Sequence, residues 1–178
     1  MNLNTIFIII YHVIEGTPIY VWILLAYLIS RGLNAAQVKP LSLSKMLIMP
    51  AIFTVWGLDK MFLQFTNIGL DLSFYLMFTI LGTGVGYLLY SRTRKIFYEN
   101  DTFYRSGSYV PLGIILTNFT IKYVLNVLMI INPTLYTSTQ FCLIYSALSG
   151  FSVGLFIGGW LQAYTAYKKC CMYTRIAA

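Results

Sequence analysis

Apolar residues in this chain gather into long unbroken runs rather than into alternating or one-faced patterns. A helix crossing a hydrocarbon core of about 30 Å needs roughly 17–25 residues. Four runs approach or reach that length: 43–58, 72–90, 111–131 and 139–167. A fifth, shorter run follows Glu15-Gly16-Thr17-Pro18. Proline is favourable in a first helical turn because its missing donor would have no partner there, so span 1 is set at 17–31. Residues 3–15 then read as a separate short helix lying at the membrane interface, with one kinked helix over 3–30 as the competing reading. The pattern predicts an all-α polytopic transmembrane bundle of five spans, forming one membrane domain over residues 1–178.

The connections test this division through their charges. Short loops on the cytoplasmic side accumulate Lys and Arg. Ten of the twelve basic residues fall on one alternating set: Arg31, Lys39 and Lys45; Arg92, Arg94, Lys95 and Arg105; Lys168, Lys169 and Arg175. Only Lys60 falls on the other set, and Lys122 lies inside span 4. The expected orientation therefore has the N-terminus outside and the C-terminus in the cytoplasm. Composition agrees: 58% of residues are hydrophobic and 10% charged, against about 45–50% and 25% in a soluble domain. A lipid bilayer is thus the expected partner. The net charge of +7 is accounted for by topology, and nucleic-acid binding, disorder and a disulfide scaffold are excluded.

Within the longest basic connection, aromatic and β-branched residues flank the turn formers Glu99-Asn100-Asp101, which predicts a cytoplasmic β-hairpin. Across the membrane, 59–65 has apolar residues at helical spacing and either extends span 2 or skims the outer surface.

Helix packing is signalled by small residues. Ser146, Gly150, Gly154 and Gly158 share one face of span 5, and Gly82 and Gly86 share one face of span 3. Lipid gives helices no hydrophobic reason to associate, so close backbone approach over small residues is a main source of contact energy. Packing of spans 3 and 5 within one subunit is the favoured reading; a homo-oligomer seam, another membrane-protein partner and a ligand cleft are the alternatives.

Span 4 carries the candidate chemistry. Asn118, Lys122 and Asn126 stand at i, i+4 and i+8, a polar stripe centred about 16 Å into the membrane. A lysine there costs roughly 2.5 kcal/mol or more and is expected to face the bundle interior with a partner. Asp59 and Asp71 are the preferred counter-ions. Two readings stand beside each other: a buried ion pair that sets helix register, and a functional lysine, either a cationic ligand site for an anion, an acidic headgroup or a transported small solute, or a group that releases a proton. Catalysis is not expected. His12 is the only histidine, which argues against haem and zinc, so no metal or cofactor is expected. Ser149 and Ser152 lack a base of the usual type, Asp59 and Asp71 sit at helix ends rather than at depth, and Glu15 marks a helix boundary. The remaining class is a structural or accessory subunit of a membrane assembly.

Several short motifs are also familiar as a set. Gly16-Thr17-Pro18 with Val21-Trp22, Pro50, Gly107-Ser108 leading into Pro111-Leu112, Phe119 with Lys122-Tyr123, and Ser149-Gly150 with Gly154 and Gly158 resemble a family of small bacterial inner-membrane proteins of unknown function. The resemblance implies a multi-span fold and a bacterial inner-membrane location. It implies no activity.

Overall fold

A computed structural model describes residues 15–65, 67–99 and 102–177. Helices dominate: α1 (Ile19–Ala35), α2 (Leu43–Met46), α3 (Ile48–Gln64), α4 (Ile68–Thr93), α5 (Val110–Ile131) and α6 (Thr139–Ala177). Four helical segments are long and apolar enough to cross a membrane: Leu43–Leu63, Ile68–Thr93, Val110–Ile131 and Thr139–Met172. The fifth, α1, is apolar but 17 residues long, about 25 Å. The interfacial helix expected over residues 3–15 lies outside the described residues, save Glu15.

Local chemistry sets the helix ends. Pro18 caps α1 rather than lying inside it, and its carbonyl accepts from the Val21 amide at 3.0 Å. The break between α2 and α3 follows from Pro50, which has no N–H to offer the Met46 carbonyl one turn earlier. The chain closes a 3.2 Å turn from the Leu47 amide to the Ser44 carbonyl and restarts at Ile48. Spans 2, 3 and 5 run past the apolar runs. Asp59 lies within α3, Asp71 in the first turn of α4, and α6 continues well beyond residue 167. Charged residues close an apolar run without ending a helix: Asp59 is exposed, and Asp71 stands in a first helical turn, where negative charge is favoured.

The hairpin forms as β2 (Ile96–Glu99) and β3 (Thr102–Arg105), antiparallel, with Tyr98 opposite Phe103. A third strand joins it. Lys39–Pro40, β1, pairs with Arg105 and Tyr104, and the Leu41 amide donates to Phe103 O at 2.8 Å. Pro40 is tolerated because β1 is an edge strand. At Gly107 a methyl group would lie on the Ala36 carbonyl, so only glycine admits the adjacent bond from the Ser108 amide to Ala35 O, 3.1 Å. The sheet thus fastens the end of α1 to the α4–α5 connection. Phe103 also packs edge-on against Tyr167 of α6, centroids 4.7 Å apart. The basic connections after α1 and α4, and the basic tail of α6, therefore share one end of the bundle.

Aromatic and aliphatic side chains from α1, α3, α5 and α6 fill the interior. Phe53 stacks on Phe156 at 5.2 Å, Trp56 lies tilted on Phe119 at 6.0 Å, and Phe65 meets Tyr145 edge-on at 5.4 Å. Leu28, Met61, Ile115 and Met129 complete the core.

Candidate functional site

Lys122 lies inside the bundle, 1% exposed. Its ammonium donates to Ser149 Oγ of α6 at 3.1 Å. The rings of Trp56 on α3 and Tyr145 on α6 stand 5.8 and 5.6 Å from Nζ, within the reach of cation–π attraction. A Cβ at Gly57 would come within 3.1 Å of Nζ and 3.3 Å of Ser149 Cβ. The missing side chain at Gly57 lets the ammonium rest against the α3 backbone. One hydroxyl and two π faces enclose the cation.

The other two stripe residues serve the backbone and the serines. Asn126 Nδ2 donates to the Lys122 carbonyl at 2.7 Å, and Asn118 Oδ1 accepts from Ser152 Oγ at 2.6 Å. Asn118 Nδ2 and Ser146 Oγ are buried along the same seam without a hydrogen-bond partner among the described residues. Asn118, Lys122 and Asn126 thus line one polar seam between α5 and α6, but only Lys122 places charge there.

The expected carboxylate partner is not found. Among the described residues no carboxylate lies within salt-bridge distance of Lys122. Asp59 is exposed on α3. Asp71 is buried, 2% exposed, in a small recess with Asn67, Tyr136 and Cys142. The reason is directional. Side chains on a helix lean toward its N-terminus, and α5 begins at the basic end of the bundle. Lys122 therefore leans away from the end that holds Asp59 and Asp71, and toward Ser149.

The glycine faces of spans 3 and 5 meet each other. A methyl group at Gly82 or Gly86 would strike the Phe151 or Leu155 carbonyl of α6; one at Gly150, Gly154 or Gly158 would strike the Tyr75, Thr79 or Thr83 carbonyl of α4. Within α4, Thr79 and Thr83 turn their hydroxyls back to the carbonyls four residues earlier, at 2.7 and 2.8 Å. This satisfies polar atoms internally, as a lipid environment demands.

Trp56, Gly57, Tyr145 and Ser149 are the site residues that stripe reasoning on span 4 misses. The available signal was the row Ser146, Ser149 and Ser152 beside the glycine face of span 5, since a buried lysine needs an acceptor and those hydroxyls are the nearest in depth. No cluster of three or more His, Cys, Asp or Glu side chains that would hold a metal ion occurs among the described residues.

The fold and this seam define a small polytopic helical membrane protein with a sealed cation between its helices. Residues 4–165 match the model of a family of unknown function, DUF6622, and the chain belongs to that family. No curated protein and no solved structure matches it.

Proposed function

We propose that this is a non-catalytic, non-conducting integral membrane protein that works as an accessory or binding unit in a bacterial inner membrane, with its basic end in the cytoplasm. The observation that carries this reading is the enclosure of the Lys122 ammonium by Ser149, Trp56 and Tyr145 against the α3 backbone. A conduit for anions would present this charge to water; here it fixes the register of α3, α5 and α6. Ser149 and Lys122 stand at the separation of a nucleophile and a base, yet Ser149 is itself only 1% exposed, which weighs against a substrate reaching it. The orientation rests on the shared end of the basic connections and on the cytoplasmic preference for Lys and Arg.

The test is reconstitution into vesicles with chloride and phosphate flux measured against empty vesicles. We expect no added flux, and the same result for Lys122→Met. Flux that Lys122→Met abolishes would overturn the reading in favour of transport. Labelling of Ser149 by a fluorophosphonate probe would overturn it in favour of hydrolysis. A C-terminal reporter active only in the periplasm should stay silent.

A further inference from the structure

The sheet-bearing end of the bundle contains a cavity of about 410 Å³. Five cations from five different segments line it: Arg31 of α1, Lys39 of β1, Lys45 of α2, Arg94 just after α4, and Arg105 of β3. No carboxylate is among the described lining residues. Arg94 is 4% exposed, and its Nε and Nη1 have no hydrogen-bond partner among the described residues. The face of its guanidinium rests on the Tyr90 ring, 4.5 Å from the centroid, so the N–H edges remain unused. Trp160 lines the same cavity, and its buried Nε1 donor also has no acceptor among the described residues.

Such an arrangement is costly if left empty. Burial pushes the Arg94 guanidinium down to about 10, with Arg105 adding to the effect against the opposing influence of Tyr90. Burial likewise lowers Arg105, and Arg31 lowers it further. Arg94 is nevertheless protonated at neutral pH, and its buried donors are each unpaid by an acceptor. A ligand that fits must be anionic and rich in acceptors reachable from several directions. One carboxylate can occupy one guanidinium fork; a phosphoryl group offers oxygens to several at once, and Arg forks match it bidentately. The volume lies in the range of sites for small organic molecules, about 300–1,000 Å³, and far exceeds a bare phosphate ion. Ile115 and Phe156 provide an apolar wall for the remainder.

We propose that this cavity is a binding site for a phosphate ester, held by Arg94 and Arg105 with Trp160 as an additional donor. A lipid headgroup and a soluble phosphate ester share that chemistry. Basic pockets between transmembrane helices at this face of a membrane are suited to anionic headgroups.

The experiment is thermal unfolding of the full chain in neutral detergent, titrated with inorganic phosphate and, separately, with micelles carrying phosphatidic acid. A ligand that binds only the folded state raises the midpoint as its concentration passes its dissociation constant. A rise with phosphatidic acid alone assigns the lipid source; a rise with both assigns a phosphoryl site open to soluble esters. In either case Arg105→Gln and Arg94→Gln should weaken apparent affinity by about tenfold or more, the loss expected for one charge-assisted bond. Arg92→Gln, exposed at the same end, should leave it unchanged. If Arg94→Gln fails to fold, Arg105→Gln carries the comparison. No rise with either probe, or an undiminished rise in Arg105→Gln, would overturn the proposal.

Discussion

Two buried cations in this protein are treated in opposite ways. At mid-depth, Lys122 is closed in by a hydroxyl, two rings and a glycine that makes room for it. At the basic end, Arg94 is almost as deeply buried, but it borders open volume, has like charges around it and keeps two nitrogens unbonded among the described residues. A cation fitted into its surroundings belongs to the architecture. A cation surrounded by unused donors and empty space is arranged for something that arrives later. The difference teaches that burial alone does not separate a structural charge from a binding one; the bonding state of its donors does.

Both centres depend on α6, which supplies Ser149 to one and Phe156 and Trp160 to the other, and α6 packs most extensively against α4. The largest effect is therefore expected from Gly154→Ile, whose side chain would enter the α4 backbone at Thr79 and Thr83. We expect loss of more than about 4–5 kcal/mol, the scale of severe core disruption, seen as failure to recover a monodisperse species on size exclusion. A well-folded Gly154→Ile monomer would show that the two helices do not need this contact.

Lys122→Ala comes next. It empties the space between Trp56 and Tyr145 and should cost about 2–5 kcal/mol, as other large-to-alanine core changes do. Lys122→Met, which keeps the volume and removes the charge, should be neutral or stabilising, since a buried charge is rarely a net gain. Urea or SDS titration distinguishes the pair; equal losses in both would mean that the charge itself holds the seam. Ser149→Ala should cost about 1–3 kcal/mol by leaving the ammonium without its acceptor.

Arg94→Gln sharpens the comparison by its sign. Without ligand it should leave the midpoint unchanged or raise it slightly, where Ser149→Ala lowers it. The pH dependence follows from the same burial. The folded state holds Arg94 at about 10, well below the ordinary guanidinium value, chiefly through burial. A base lowered by folding destabilises the fold while charged, so the penalty is fully present below about pH 10 and is relieved as pH rises from there toward the ordinary guanidinium value. The difference in stability between the Arg94→Gln variant and the unliganded parent should accordingly shrink above pH 10; a difference constant through that window would refute the burial cost.

How much of this was legible in the amino-acid order differs from feature to feature. Span 4 emerged with its limits almost intact because its apolar run, Pro111 and Asn132 coincide with the real helix ends. The hairpin was legible for a similar reason, since turn formers stand between two aromatic runs. The third strand was not, because Lys39–Pro40 is too short to carry a pattern and exists only through its neighbour β3. Depth along a helix told that Lys122 needs company, but not on which side. Azimuth and the lean of side chains toward the helix start directed it to Ser149 rather than to Asp59 or Asp71. The cavity is not legible because each of its cations, taken singly, also fits the charge asymmetry that orients the chain. A residue that helps orient a chain can also line a site, and loop charge counts cannot separate the two roles.

The short first helix has a mechanical corollary. At 17 residues it measures about 25 Å, several ångströms less than a typical hydrocarbon core of about 30 Å, while α4 at 26 residues has length to spare. Because the sheet ties α1 down at one end, it has little freedom to shift along the membrane normal. Any such shift would have to carry the α4–α5 connection with it through the pairing of β1 with β3.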